Sequence, residues 1–258
     1  MMNRLQLPFS PALGGLAPSN DGVIAGKFFA STESADHALF APLHYEANYG
    51  YPLVVWLHGN GGSPSQLRRI MPLVSLRNYT AVAPKGTQRM IEKMEGGGGF
   101  GWVQTPEHVS QADGRIQAAI GEANQRFNIR ADRIFLAGYG SGGTMAMRLA
   151  ARRPRGFAGV ISLCGPFPTH DAPLANLNSM RRLPLFVASC RHGADYPSER
   201  VCNDLRLLHS AGMSITLRDY PGDDGLSAVM LADMNRWLME QIAAPNTLIE
   251  SSPPANRA

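Results

Sequence analysis

The segment from Arg133 to Met147 constrains the fold of this chain most, because it joins a buried strand to an apolar helix through a glycine-rich corner. Ile134 to Ala137 is a short continuous apolar run, which is typical of a strand buried on both faces of a sheet. The segment from Thr144 to Ala151 is rich in good helix formers and contains no proline. The corner between them, Gly138-Tyr139-Gly140-Ser141-Gly142, therefore predicts one strand-to-helix unit of an α/β sheet.

Similar alternation of strand and helix patterns runs along most of the 258 residues. Predicted strands are Val23–Ala30, Ala38–Tyr45, Pro52–His58, Tyr79–Ala83, Phe157–Leu163, Leu183–Ser189 and Ser214–Tyr220. Predicted helices besides the one after the corner are Pro64–Leu76, Pro106–Phe127, Ser198–Ala211 and Leu226–Ile242. The longer connections, Lys85–Gln104 and Gly165–Arg182, are predicted to be loops. Strands alternating with helices predict a mostly parallel sheet with helices on both faces, and ligands of such sheets bind beyond the carboxyl ends of the strands.

The two ends of the chain lack the strand and helix patterns of its middle. Residues 1–22 are predicted to form a mobile leader, residues 23–243 a single α/β domain, and residues 244–258 a disordered, proline-containing tail.

Composition argues against several classes of partner. The net charge of +4 comes from scattered arginines, with no basic stripe interleaved with aromatic residues, so nucleic-acid binding is not expected. No apolar run approaches the roughly 18 residues that span a membrane. The three cysteines, Cys164, Cys190 and Cys202, have no metal-binding spacing. They are expected to be free thiols of a cytoplasmic protein that has no metal site and no cofactor.

Three motifs together resemble the phospholipase/carboxylesterase group of α/β-hydrolases. They are Leu57-His58-Gly59-Asn60-Gly61-Gly62, then Ala83-Pro84 after the next strand, and Arg133-Ile-Phe-Leu-Ala-Gly-Tyr-Gly-Ser-Gly-Gly-Thr-Met-Ala. The similarity runs from about Pro52 to Trp237. It implies an α/β-hydrolase fold, with a mostly parallel sheet of the eight-stranded type and helices on both faces. It also implies an ancestral carboxylic-ester hydrolase that uses a serine, a histidine and an acid.

The nucleophile position departs from the family pattern. Aligned without a gap, Gly138 and Gly142 match the two motif glycines, so that Gly140 stands where the family has its serine. Ser141 then falls one residue later, where the family uses a backbone N–H as an oxyanion donor. Taking Ser141 as a shifted nucleophile instead requires the bulky Tyr139 at the first motif glycine.

The base and acid positions also depart from the pattern. Counting back from Trp237 places the family histidine at Asp224, and no histidine follows His209. The family acid falls at Gly193 in one alignment and at Asp195 in another, and the sequence leaves both open. Asp195, Asp223 and Asp224 have no spacing that is typical of a metal site.

Other residues after strands are candidates for the pocket. The resemblance makes Asn60 the oxyanion position, and the Gly61-Gly62 turn is expected to present N–H groups to an anion in the pocket. His192 is a candidate partner for Ser141 or Cys190 in a rebuilt dyad, although a loop histidine is more often a surface residue.

These residues predict a catalytically degenerate hydrolase that keeps its pocket for a small acyl or ester ligand or for a protein partner. The alternative is an active carboxylic-ester hydrolase in which Ser141 attacks. The alternative lacks a histidine at the base position, and loss of any triad member lowers the rate of a serine hydrolase by orders of magnitude.

Overall fold

The computed structural model describes residues 31–33, 36–90, 98–170 and 173–244. Within this part of the chain eight strands form one sheet, in the order β1-β2-β4-β3-β7-β8-β9-β10. Those strands are β1 Ser31–Glu33, β2 His37–Phe40, β3 Tyr51–Leu57, β4 Thr80–Pro84, β7 Ile129–Tyr139, β8 Gly159–Leu163, β9 Leu185–Cys190 and β10 Ile215–Tyr220. Two further short strands, β5 Gln88–Arg89 and β6 Phe100–Gly101, form a separate antiparallel ribbon.

Six neighbouring strands of the sheet, from β4 to β10, pair in parallel, and β2 and β1 pair antiparallel at one edge. The helices of the described chain are α1 Leu67–Val74, α2 Pro106–Arg126, α3 Ser141–Arg152, α4 Leu177–Met180, α5 Ser198–Ser210 and α6 Ala228–Ala243. This arrangement confirms the mostly parallel sheet predicted from the sequence.

Strand β3 shows why the sheet is covered on both faces. All seven of its residues are buried, and successive side chains of a strand point to opposite faces. Leu53, Val55 and Leu57 belong to one apolar cluster, which contains residues of α2, α3 and α5. Val54 and Trp56 belong to a second cluster, which contains residues of α1 and α6. The apolar run of β3 is therefore continuous because its alternate residues pack into the two cores on opposite faces of the sheet.

Several predicted element boundaries differ from the structure. The strand predicted at Ala38–Tyr45 is wrong beyond Phe40, because Pro42 has no N–H to donate to a neighbouring strand and His44 has a positive φ of 57°. The strand predicted at Val23–Ala30 lies outside the described residues, as do the predicted leader and almost all of the predicted tail. Helix α1 continues past Pro72 and ends at Val74.

The prediction of a loop for the whole of Lys85–Gln104 is also wrong in part, because β5 and β6 lie within it. The backbone N–H of Phe100 donates to the carbonyl of Gly62 at 2.7 Å, so the ribbon is attached to the turn after β3. This contact joins residues far apart in the chain, and local sequence patterns carry no signal for it. The ribbon therefore forms one side of the region beyond the carboxyl ends of the strands.

Candidate active site

The corner between β7 and α3 has Gly140 at its tip. Gly140 precedes the first helical residue and has φ +53° and ψ −121°, a backbone conformation that glycine adopts far more readily than other residues. Its N–H donates to the carbonyl of Leu163, and its carbonyl accepts from the N–H of Thr144. A Cβ built on Gly140 would meet no atom within 4 Å. The tip of the corner thus faces open space and has no side chain.

The glycines on either side of the tip are required for a different reason. A Cβ on Gly138 would lie 2.4 Å from the carbonyl carbon of Gly142, and a Cβ on Gly142 would lie 2.3 Å from the carbonyl oxygen of Leu57. Real Cβ atoms do not approach backbone atoms so closely. The end of β7, the start of α3 and the end of β3 therefore pack backbone against backbone, and Gly138 and Gly142 are the two residues that permit it.

Ser141 is the first residue of α3. Its hydroxyl donates to the side-chain Oδ1 of Asn60 at 2.7 Å. The structure thus brings together Ser141 and Asn60, the two residues that the sequence places at the oxyanion position. The partner of the hydroxyl is an amide oxygen, which is not a group that accepts a proton from serine during catalysis.

His58 directly follows β3, as the second residue of the motif that runs from Leu57 to Gly62, and is fully buried. Its Nδ1 donates to the carbonyl of Gly59 at 2.8 Å, and its Nε2 accepts from the N–H of Gly86 at 3.0 Å. The indole N–H of Trp102 donates to the His58 carbonyl at 2.9 Å. Burial lowers the pKa of His58, and the hydrogen bond to Gly59 partly offsets this effect. His58 is therefore a neutral ring that ties the turn after β3 to the loop after β4.

Asp224 lies against the loop that follows β9. Its Oδ2 accepts from the backbone N–H of Asp195 at 2.9 Å, and a Cβ built on Gly193 would lie 2.4 Å from its Oδ1. Among the described residues that Oδ1 is buried and has no hydrogen-bond partner. Of the two residues left open for the acid, Gly193 is the one that faces position 224, whereas Asp195 contributes its backbone amide and has an exposed side chain.

The dyad considered for His192 is not assembled in the structure. His192 is exposed, and its backbone N–H donates to the carbonyl of Gly222 at 3.0 Å. Its two proposed partners have other contacts: the Ser141 hydroxyl bonds Asn60, and the Cys190 sulfur lies 3.7 Å from the Cys164 sulfur.

Tyr139 is a site residue that the sequence reasoning missed. Burial raises the pKa of the Tyr139 phenol, and the nearby groups Cys164, Asp224 and Asp195 raise it further. The ring packs against the turn after β3, where a Cβ built on Gly59 would lie 2.7 Å from Tyr139 Cδ1. The available signal in the sequence was the aromatic residue directly before the corner.

A cavity of about 480 Å³ opens beside α3. Its wall contains Thr144, which follows Ser141 by three residues and so lies on the same face of the helix. The residues lining it are Gln104, Thr144, Arg148, Pro166, Phe167, Pro168, Thr169, His170, Asp195, Pro197 and Arg200. Sequence patterns do not predict this cavity, because its wall combines residues of two helices, α3 and α5, with three separate loops.

Two arginines hold the outer wall of this cavity in place. The guanidinium of Arg148 donates to Gln104 Oε1 at 2.8 Å and to the carbonyls of Thr169 and His170. Arg200 donates to the carbonyl of Phe167 at 2.9 Å and pairs with a buried carboxylate on α5. The part of the loop after β8 from Phe167 to His170 is thus held in place by hydrogen bonds from two charged side chains.

No group of three or more His, Cys, Asp or Glu side chains in the described ranges is placed to hold a metal ion. None of the helices described is long and apolar enough to cross a membrane.

The order of the sheet and the strand–corner–helix unit at its centre define an α/β-hydrolase fold, which confirms the prediction of the fold class. The model of the phospholipase/carboxylesterase family matches residues 46–238, which is more than half of the sequence. The chain belongs to this family, as its motifs suggested.

Individual relatives agree with this assignment. The chain is 24% identical over 208 residues to lysophospholipase-like protein 1 of Mus musculus, covering 73% of this chain and 86% of that protein. It is 31% identical over 129 residues to a protein of Nocardia uniformis subsp. tsuyamanensis named "Putative esterase NocK". That match covers 48% of this chain and only 35% of the length of the relative.

Solved structures share the fold at low sequence identity. Arabidopsis thaliana SOBER1 superposes with a TM-score of 0.61 at 18% identity, covering 75% of this chain and all of that one. The Bacillus cereus carboxylesterase superposes with a TM-score of 0.62 at 16% identity, covering 80% of this chain and 93% of that one.

The buried His58 predicts how stability depends on pH. The folded protein keeps this ring neutral, whereas in the unfolded chain its pKa is about 6.5. As the pH falls below about 6.5 the unfolded chain takes up the proton first, so the free energy of unfolding decreases toward acid. One such group contributes at most about 1.4 kcal/mol per pH unit.

Urea unfolding between pH 8 and pH 5 measures this slope. The His58→Gln variant is expected to be less stable at pH 8 and to have a shallower loss of stability toward pH 5. The exposed His192→Gln variant is the matched control. A slope that changes as much in the control as in His58→Gln would contradict this account of His58.

Proposed function

We propose that this chain is a catalytically inactive member of the phospholipase/carboxylesterase family that keeps the cleft of its relatives as a binding site. The observation that carries the proposal is the corner, where Gly140 occupies the tip and provides no hydroxyl for attack on an ester. Any other residue in such a backbone conformation costs on the order of 1–3 kcal/mol. A chain that no longer needs the nucleophile gains stability by having glycine there.

The residues at the other two family positions support the same reading. Asp224 stands at the base position, and a carboxylate is a much weaker base toward a hydroxyl than an imidazole is. Gly193 faces Asp224 and has no carboxylate to orient a histidine. Under this proposal Gly140, Asp224 and Gly193 lack the hydroxyl, the imidazole and the carboxylate that the reaction needs.

The alternative, an active esterase with Ser141 as nucleophile, has weaker support. Activation of a serine requires a base within hydrogen-bond reach, at about 2.6–3.2 Å. The hydroxyl of Ser141 donates to the amide oxygen of Asn60 instead.

The ligand that we propose is a small acyl or ester compound. Asn60 and Ser141 lie together where an acyl oxygen would be held, and the cavity of about 480 Å³ begins three residues further along α3, at Thr144. Its wall includes Phe167 and three prolines, which are suited to an acyl chain. The other seven residues of the wall are polar or charged, and pockets of about this size are typical of small-molecule sites.

We further propose that the protein acts in the cytoplasm, and the support is that its three cysteines are free thiols.

Labelling with a fluorophosphonate probe tests the loss of catalysis. Purified protein is expected to show no stoichiometric labelling, and to hydrolyse p-nitrophenyl butyrate no faster than the Ser141→Ala variant. The Ser110→Ala variant removes an exposed serine on α2 and is the control. Labelling near one probe per chain that disappears in Ser141→Ala but remains in Ser110→Ala would overturn the proposal and establish the alternative.

Calorimetric titration with straight-chain carboxylic acids of four to ten carbons tests the binding site. We expect saturable binding of at least one chain length, and about fivefold weaker binding in Asn60→Ala, since one hydrogen bond contributes about 1 kcal/mol. The exposed Asn78→Ala variant is the control. If no acid in the series binds saturably, or if both variants bind like the parent protein, the proposal of an acyl ligand is wrong.

A further inference from the structure

Two buried cysteines lie beside the cleft at the carboxyl edge of the sheet. Cys164 directly follows β8 and Cys190 ends the neighbouring strand β9. Their relative exposures are 1% and 3%, and their sulfur atoms are 3.7 Å apart. The remaining cysteine, Cys202, is exposed on α5. The chain therefore has one close pair of thiols and one separate surface thiol.

The backbone of Cys164 explains why the two thiols meet. Ile161 and Leu163 of β8 face the apolar cluster that contains α6, so regular alternation would turn the next side chain to the opposite face. Cys164 instead has a φ of +55°, which is uncommon outside glycine. Its side chain joins the same cluster as Cys190, and its N–H stays bonded to the carbonyl of Ala188 at 2.9 Å.

We propose that Cys164 and Cys190 form an oxidation site, at which a hydroperoxide converts the two thiols into a disulfide. One thiolate sulfur attacks a peroxide oxygen, the O–O bond breaks, and a sulfenic acid and one molecule of water (for hydrogen peroxide) form. The second thiol then attacks the sulfenic sulfur and expels a second water. The sum is two thiols and one peroxide giving one disulfide and two waters, with two electrons passing to the peroxide.

The surroundings treat the two sulfurs alike. Burial raises the pKa of both thiols, which slows their reaction relative to an exposed cysteine. The backbone N–H of Gly225 partly offsets this effect at both sulfurs. Either thiol can therefore be the one that attacks the peroxide, and the other then attacks the sulfenic acid.

The site is connected to the cleft on both sides. The carbonyl of Leu163, the residue before Cys164, accepts the N–H of Gly140 at the tip of the corner. The carbonyl of Cys190 accepts the N–H of Gly193, which faces Asp224. A disulfide would link the two strand ends that carry these contacts. The proposal depends only on the cysteine geometry, and so it stands or falls separately from the proposed function.

The test uses the full chain with Cys202→Ser, which removes the surface thiol that would form cross-links between molecules. Native protein is treated with excess hydrogen peroxide, then unfolded and alkylated with iodoacetamide. We expect a mass loss of two hydrogens, no alkylation, a cross-linked peptide pair containing residues 164 and 190, and reversal by dithiothreitol. The same treatment in 8 M urea is expected to give at least tenfold less of the cross-link within the same time, because the fold holds the sulfurs together.

Variants with Cys164→Ala or Cys190→Ala in the same background are the controls, and neither is expected to lose two hydrogens. Two results would overturn the proposal. One is that both thiols of the native Cys202→Ser protein remain open to alkylation after peroxide treatment. The other is that oxygen is added to the sulfurs without a cross-link between them.

Discussion

The backbone packing at the corner is the constraint on which the rest of the site depends. Gly138 and Gly142 allow the end of β7, the start of α3 and the end of β3 to come within direct backbone contact, at distances that exclude any Cβ. This contact fixes where Gly140 turns the chain. It also brings Ser141 and Asn60 to the same place, where their side chains bond at 2.7 Å. The geometry of a nucleophile corner is thus preserved independently of the residue at its tip.

Under the proposed function, Gly140, Asp224 and Gly193 form a consistent set of substitutions. A site without a hydroxyl at Gly140 needs no base at position 224, and Asp224 accepts the backbone N–H of Asp195 at 2.9 Å. With no base to orient, Gly193 leaves room for the Asp224 carboxylate, whose Oδ1 would lie only 2.4 Å from a Cβ there. Restoring an aspartate at Gly193 alone would place two carboxylates against each other. The proposal therefore requires changes at all three positions together to restore hydrolysis.

The sequence predicted the fold and the register of the corner because both depend on local patterns. Glycine spacing identified Gly138 and Gly142, and continuous apolar runs identified the buried parallel strands. The sequence left open whether Gly193 or Asp195 stands at the position of the family acid. The answer depends on how the loop after β9 packs against Asp224, which is about thirty residues away in the chain. The ribbon between β5 and β6 and the cavity beside α3 were missed for the same reason: their contacts join distant segments and leave no periodic signal.

Hydrolysis of p-nitrophenyl butyrate by a rebuilt site tests the central claim most directly. The Gly140→Ser/Gly193→Asp/Asp224→His protein is compared with the parent protein and with Gly140→Ala/Gly193→Asp/Asp224→His, which has a similar backbone cost but no hydroxyl. We predict that the serine variant is at least about 100-fold faster than both, because general-base activation contributes about 10²–10⁴. A parent protein as fast as the serine variant, or a folded serine variant no faster than its alanine control, would contradict this account.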